Sequence, residues 1–471
     1  MTTTFLIVSS LVKVAVVLGI TVGAFAPIII WAERRQSAMI QDRLGPSRAA
    51  IVLPPKAVAF IDRARTPLRR LAVLAGIMAI VALVTLTFVA IKGSNPLPIT
   101  TSALVSVLVG FGAAAVLLRT GYAVHGMIVR NGGRIMLIGL LHPVADAMKF
   151  IFKEDFVPPK ADKLLFSAGP IIALIPAIAG FAVIPFASTL HWDYLNQVLP
   201  RTGELSGPAV PMQIASINVG ILFIFAIAST GIIGAAISGY ASDNKYSLLG
   251  GIRAASQMVS YEVVLGLTLV PAFMVYGSLR LEDMAMWQHE HMWGFFVPPL
   301  TLAAINFFVA AVAETKRVPF DLPEGESELV GGYLTEYSGM KFGMFFMGEF
   351  VEVVALAAIA SVLFFGGWDV PFLHRDGFEL SLPFSQASYS VPLVHWLVVA
   401  IEFVVFLFKI IVLIWFQLMI RWTLPRFRYD QLMSLCWKGL LPVSLLNILV
   451  VGAFILSGWL DDWVLLFEKI F

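Results

Sequence analysis

One cysteine, Cys436, in 471 residues removes several kinds of chemistry at once. The chain cannot close an internal disulfide, ligate an iron–sulfur cluster with its own thiolates or build a thiolate zinc site. Cys436 reads as a small apolar residue at a helix start. Charge is also scarce, with 13% of residues charged and a formal net charge of +2. Without a glycine-rich dinucleotide turn, a P-loop, a GxSxG elbow or a CxxC pair, nucleotide binding and nucleophilic hydrolysis have no sequence support. The HEH at 289–291 lacks the HExxH spacing of a zinc enzyme, and the acidic residues elsewhere follow neither EF-hand nor di-iron spacing. No metal site is expected, and any redox cofactor must sit in partners.

Long apolar runs stand in place of these features. Hydrophobic residues make up 59% of the chain, more than a water-soluble globule can hide. The runs have helix length rather than the ten-residue alternation of an outer-membrane barrel, so the fold class is all-α, a polytopic transmembrane helical protein. About ten spans are predicted, at roughly 5–31, 71–91, 99–118, 164–187, 214–239, 256–279, 292–313, 342–366, 391–420 and 437–458. The first run continues into arginines and reads as a span rather than a cleaved signal, and residues 1–471 read as a single membrane domain. Loops 32–70, 119–163, 240–255, 314–341 and 421–438 carry 25 of the 32 Lys and Arg residues, which places them in the cytoplasm and both termini outside. These short basic loops suit anionic lipid headgroups and acidic partners, not nucleic acid. In residues 134–152, Leu137, Leu141, Val144, Met148 and Ile151 recur at spacings of three and four. This predicts an amphipathic helix at the membrane interface; an extension of an adjacent span is the other reading.

Charge inside so apolar a chain is informative. Lys13, Glu262, Glu349, Glu352, Glu402 and Lys409 fall within predicted spans. An ion facing lipid at mid-span costs about 2.5–3.5 kcal/mol on insertion scales, so these groups should face protein, water or a partner subunit. Glu349 and Glu352 share a helix face, an arrangement in which two carboxylates can hold a proton between them. Glu262 sits near the start of its span beside Tyr261, Glu402 and Lys409 lie two turns apart as stations on one polar track, and Lys13 reads as a snorkelling residue or a structural contact. Pairing with cations on neighbouring helices, simply to fix packing, stays open for each carboxylate.

The densest acidic segment runs from Glu314 to Lys341 and contains Glu314, Asp321, Glu324, Glu326, Glu328 and Glu336, with Glu349 following in the next span. Only Lys316, Arg317 and Lys341 oppose them. Pro319 and Pro323 prevent a continuous helix, and Gly331, Gly332 and Gly339 supply bends. Interleaved Val318, Phe320, Leu322, Leu329, Val330 and Tyr333 favour burial. The segment therefore reads as a docked, partly buried polar surface at the cytoplasmic mouth of a path; a solvated acidic loop is the other reading.

Five blocks carry a specific resemblance: AERRQSAMIQDRLGPSRA at 32–49, HPVADAMKFIFKEDFVPPKADK at 142–163, YASDNKYSLLGGIRAASQMVSYEVVLG at 240–266, ETKRVPFDLPEGESELVGGYLTEYSGMKFGMFFMGEF at 314–350 and RWTLPRFRYDQLMSLCWKGLLP at 421–442. Together they resemble the H subunit of bacterial NADH–quinone oxidoreductase, respiratory complex I, known as ND1 in mitochondria. The resemblance implies a multi-pass subunit of the bacterial inner membrane, with periplasmic termini, at the junction with the peripheral arm. It implies a wall of the quinone chamber and the first part of the charged path that couples quinone reduction to proton translocation. Quinone is then the substrate, FMN and iron–sulfur clusters sit in partner subunits, and the chain alone has no redox activity. Arg35, Asp42, Arg43, Arg48, Lys153, Glu154, Asp155, Asp243 and Lys245 fall in the blocks that the family places around the quinone passage. Glu314, Asp321, Glu324, Glu326 and Glu328 look like its acidic loop, and Glu262 and Glu349 like its intramembrane proton-path carboxylates. Arg426, Arg428 and Asp430 fall in its last cytoplasmic motif.

One departure is large. Family members run from the first block almost directly into the interfacial helix, whereas about 90 residues separate Arg48 from His142 here. Residues 53–133 are therefore expected to be an insertion carrying two extra transmembrane helices, which keeps later topology unchanged. Other readings of the residues are a hydrogenase- or formate-linked membrane subunit on the same scaffold, a stand-alone transporter, for which no inverted repeat is found, and an assembly subunit with inert charges.

Overall fold

The computed structural model describes residues 3–46, 49–52, 134–135, 139–192, 209–381 and 388–470, with isolated positions 54, 77 and 119. The spans expected at 71–91 and 99–118, and Arg48, lie outside the described residues. Among those described, seven helices are long and apolar enough to cross a membrane, and the 17-residue apolar helix Pro298–Glu314 adds a shorter one. The protein is an all-α polytopic membrane protein.

The first span is built from α1 (Thr3–Leu18) and α2 (Ala26–Ile40), joined by a π-helical stretch at Gly19–Phe25. There follow α3 (Leu141–Phe152), α4 (Lys163–Ala179), α5 (Gly220–Ala241), α6 (Lys245–Tyr276), α7 (Leu281–Glu290) and α8 (Pro298–Glu314). The chain ends with the single turn α9 (Glu326–Leu329), then α10 (Gly339–Phe364), α11 (His395–Thr423), α12 (Tyr429–Ser434), α13 (Leu441–Leu456) and α14 (Trp459–Ile470). Of the spans, α10 is the most enclosed, with 83% of its apolar window buried.

Local chemistry explains the helix starts. Asp162 caps α4 by accepting from the Leu164 and Leu165 amides at 3.0 and 3.2 Å. Asn244 caps α6 through the Tyr246 amide at 2.9 Å. That cap corrects one sequence expectation: residues 245–255, read as loop, are the first turns of α6, because no proline interrupts them before Pro271. Gly250 survives there because a Cβ on it would stand 2.5 Å from the Gly332 Cα, so the acidic segment packs directly on the α6 backbone.

The basic loops meet at one end of the bundle. Arg34 pairs with Asp146 at 2.6 Å, Lys341 with Asp155 at 3.0 Å, Arg426 with Asp321 at 2.9 Å, and the Asn244 amide donates to Glu336 at 2.6 Å. The helix expected over 134–152 is shorter: α3 begins at Leu141, residues 134–135 pair as a strand with 51–52, and Leu137 lies outside the described residues; α3 touches the protein through Pro143, Asp146 and Phe150 while Val144, Met148 and Ile151 point outward. At the opposite end, three strands, β1 (Leu373–His374), β2 (Gly377–Ser381) and β3 (Ser388–Pro392), form an antiparallel sheet in that order, where the sequence suggested only a long loop.

Candidate functional site

The acidic segment folds over the N-terminal ends of α6 and α10. Gln257 of α6 donates to the Ala313 carbonyl at 2.8 Å and the Phe320 carbonyl at 2.9 Å, which fixes the exit from α8. The Phe427 amide donates to Pro319 O at 3.1 Å, and the Phe320 and Phe427 rings stack 5.3 Å apart. Pro170, inside α4, leaves the Phe166 carbonyl without its helical donor; Tyr337 supplies one at 3.2 Å while its ring stacks on Phe166 at 4.1 Å. Burial pushes the Tyr337 hydroxyl up to about 12, so it stays a donor.

Within this frame a cavity of about 80 Å³ lies between α4, α5, α6, α8 and α10. Its polar lining is Glu262 from α6, Glu314 from the end of α8, Glu349 and Glu352 from α10, and Lys316 and Tyr333 from the acidic segment. A water needs about 10–15 Å³ of such volume, so the cavity is roomy enough to be wet. The Glu314 Oε2 atom has no protein hydrogen-bond partner among the described residues, and the cavity is the space from which water can reach it. Ser229 of α5 hydrogen-bonds to Glu262. Tyr333 donates to Glu349 Oε1 at 3.0 Å and accepts from Lys316 Nζ at 3.5 Å, while Lys316 and Arg317 each stand 4.0 Å from the Glu349 carboxylate. Glu324 reaches Glu349 by a side-chain hydrogen bond; burial first, then the nearby charges of Glu349 and Asp321, raise its pKa well above the ordinary carboxylate range. Tyr333 is raised as well, by burial and then by Glu349. Four carboxyl groups around a wettable cavity, with a fifth bonded to one of them from the loop, can hold and exchange protons.

A family model described as NADH dehydrogenase matches residues 99–452. Similar curated relatives include an H subunit of the NADH-quinone oxidoreductase of Geobacter metallireducens, 43% identical over 69% of this chain and 85% of the relative. An H subunit from Cytophaga hutchinsonii is 40% identical over 68% of this chain and 84% of its own length. The H subunit from Thermomicrobium roseum is 43% identical over 68% of this chain and 84% of its own length. The chain belongs to the NADH dehydrogenase family, as an H subunit of NADH-quinone oxidoreductase. It is thus a membrane subunit of an oxidoreductase complex whose other subunits are its partners.

The structure sorts the expected residues of this H subunit into groups. Glu262 and Glu349 line the cavity, and Glu324 joins them through Glu349. Asp321 and Glu328 turn outward to ion pairs with Arg426 at 2.9 Å and Arg253 at 2.8 Å, and Glu326 opens α9. Arg35 packs over Gly45, and Asp42, Arg43, Lys153, Glu154, Asp155, Asp243 and Lys245 lie exposed at the same end of the bundle. Glu402 and Lys409 take different hydrogen-bond partners: Glu402 accepts from the Ser188 amide at 2.9 Å, whereas Lys409 donates to the Phe365, Gly367 and Asp369 carbonyls at 2.7, 3.0 and 2.6 Å, and the Asp369 carboxylate, paired with His289 at 2.7 Å, lies near both charges. Lys13 is a structural contact, donating to Gln213 O at 3.1 Å.

Sequence reasoning passed over Glu33. It is buried on α2, ion-paired to Arg421 and 3.6 Å from Arg317, whose guanidinium also lies 4.1 Å over the Phe350 ring. Its one local signal was its place at the head of the ERR run. Tyr333 was read only as a residue that wants burial, although a tyrosine buried among carboxylates is also a hydrogen-bond donor.

Proposed function

We propose that this subunit couples quinone reduction in the assembled complex to proton translocation through the carboxylate-lined cavity. The observation that carries the reading is the convergence of Glu262, Glu314, Glu349 and Glu352 on one cavity, with Glu324 bonded to Glu349 from the cytoplasmic loop. Quinone chemistry changes the charge near the loop, the Glu324–Glu349 pair responds by taking up or releasing a proton, and Lys316 and Tyr333 hold the receiving carboxylate in place. Protons then pass by way of cavity water to Glu352, Glu314 and Glu262.

In the same reading the exposed polar end formed by Arg35, Asp42, Arg43, Lys153, Glu154, Asp155, Asp243 and Lys245, with Arg48 outside the described residues, contributes the membrane-side wall and entrance of the quinone chamber. FMN and iron–sulfur clusters belong to partner subunits. The membrane is the bacterial inner membrane, with both chain termini on its periplasmic side. Residues 53–133 are an insertion carrying two extra transmembrane helices, and the described residues on either side of it are joined by the ladder Ile51↔Ile135 and Val52↔Arg134.

Glu349→Gln in the assembled complex, reconstituted in vesicles, tests the coupling role. NADH-driven proton uptake and quinone turnover should fall together by at least about tenfold, the factor given by about 1.4 kcal/mol of barrier. Full turnover with full proton translocation would refute it.

A further inference from the structure

At the end of the bundle opposite the basic loops, α7 lies against the chain that leaves α10, and two adjacent residues of α7 hold it there by different chemistry. Gln288, buried, donates to the Val362 carbonyl at 2.7 Å and accepts from the Gly366 and Gly294 amides at 2.8 and 3.0 Å. A side-chain amide does not titrate, so these bonds are indifferent to pH. His289 follows, and its Nδ1 stands 2.7 Å from one Asp369 carboxylate oxygen. The other oxygen accepts from Trp293 Nε1 at 2.6 Å, and the Asp369 side chain is only 7% exposed. The turn that presents Asp369 is wedged in place: Gly366 has φ +72°, and a Cβ on it would lie 2.7 Å from the Trp293 ring.

The charges around the pair come from three elements. Lys409 on α11 is near Asp369, but its three N–H groups are taken by the Phe365, Gly367 and Asp369 backbone carbonyls. Glu402, also on α11, and Glu290, on α7 itself, add negative charge around His289, and the Trp368 and His374 rings pack against it with centroids 5.5 and 5.6 Å away. The hydrogen bond to Asp369 is the largest influence on His289; burial opposes it, the charges of Asp369, Glu402 and Glu290 add to it, and the pKa stands above its ordinary 6.5. The imidazole is therefore a cation on the acid side of neutrality, and its bond to Asp369 is then one between ions, roughly twice as strong as a neutral one. A histidine raised in this way contributes its full stabilisation below its ordinary value and loses it as pH rises through the raised one.

We propose that the His289–Asp369 pair is a pH-sensitive latch, tying α7 to the end of α10 while His289 holds its proton and slackening when the proton leaves. The helix it secures carries Glu349 and Glu352. If protons are delivered to this end of the bundle, the latch tightens as they accumulate; that link to turnover rests on the coupling function proposed above, whereas the latch itself does not.

The test is hydrogen–deuterium exchange of the intact, detergent-solubilised complex at about pH 5 and about pH 9, on either side of the histidine range, with labelling times scaled to the intrinsic exchange rate. No turnover is involved, so the outcome is independent of whether the carboxylate cavity couples quinone reduction to proton movement. Relative to intrinsic rates, the amides of α7 should exchange about tenfold more slowly at the lower pH, which corresponds to about 1.4 kcal/mol. His289→Gln, which keeps a neutral donor, and Asp369→Asn, which removes the carboxylate charge, should each abolish that difference. Equal protection of α7 at the two pH values in the unaltered complex, or a difference that survives either substitution in assembled complex, would overturn the proposal.

Discussion

Tyr333→Phe is the sharpest perturbation of the cavity, because it removes one oxygen and leaves the packing intact. Tyr333 is fully buried, donates to Glu349 at 3.0 Å and accepts from Lys316 at 3.5 Å. Phenylalanine fills the same space, so the cavity term that accompanies large-to-small substitutions does not arise. A hydrogen bond to a charged group contributes about 1.5–3 kcal/mol. Losing it should slow NADH–quinone turnover by about tenfold to a hundredfold, at about 1.4 kcal/mol for each factor of ten. The assay is the rate of NADH–quinone turnover in reconstituted vesicles, with the amount of assembled complex measured in parallel. A double-mutant cycle adds the discriminating step: in a Glu349→Gln background, Tyr333→Phe should have almost no further effect on the rate, because its partner charge is already gone. An unchanged rate in a fully assembled variant, or additive effects in the cycle, would show that Tyr333 does not act through Glu349.

Other perturbations have equally definite outcomes. Gly332 has φ +56°, and a Cβ there would collide with the Pro323 carbonyl, so Gly332→Ala should lower the thermal stability of this chain in the complex by about 1–3 kcal/mol, read as a drop in its unfolding temperature. Glu324 holds its proton more tightly in the folded state than its ordinary value of 4.5, so the native state is favoured most below that value and loses stability as pH rises through the raised one. Glu324→Gln should flatten that decline in a pH series of melting curves; an unchanged slope would count against the burial argument. Asp321→Asn breaks the ion pair with Arg426, 38% exposed at its side chain against 17% for Asp321, and removes a negative charge that helps raise Glu324, so the pH-dependent decline should become shallower in the same measurement; an unchanged decline would count against that charge effect.

The fold class was readable because each span has to satisfy its own backbone in lipid, and that demand leaves a continuous apolar run in the sequence. Pro319 and Pro323 likewise announced that the chain from Glu314 onward could not be one helix, and residues 315–325 contain no helix. The start of α6 was missed because its first turns carry Lys245, Tyr246, Ser247 and two glycines, a composition that resembles a loop. Those turns are helical because Asn244 caps them and Gly250 accepts the acidic segment at close range.

Hydropathy and helical spacing, taken alone, indicated the apolar spans found among the described residues and which carboxylates share a face, as with Glu349 and Glu352. Tertiary structure alone decided that Glu262 on α6, Glu314 on α8 and the α10 pair open onto one cavity, that Asp321 and Glu328 turn away to arginines, and that Glu33 joins the network through Arg317 and Arg421. The physical reason is that periodicity is a property of one helix, whereas the choice of neighbour is a property of several. In lipid no bulk hydrophobic force orders the helices, so close packing and a few hydrogen bonds between distant segments select which faces meet.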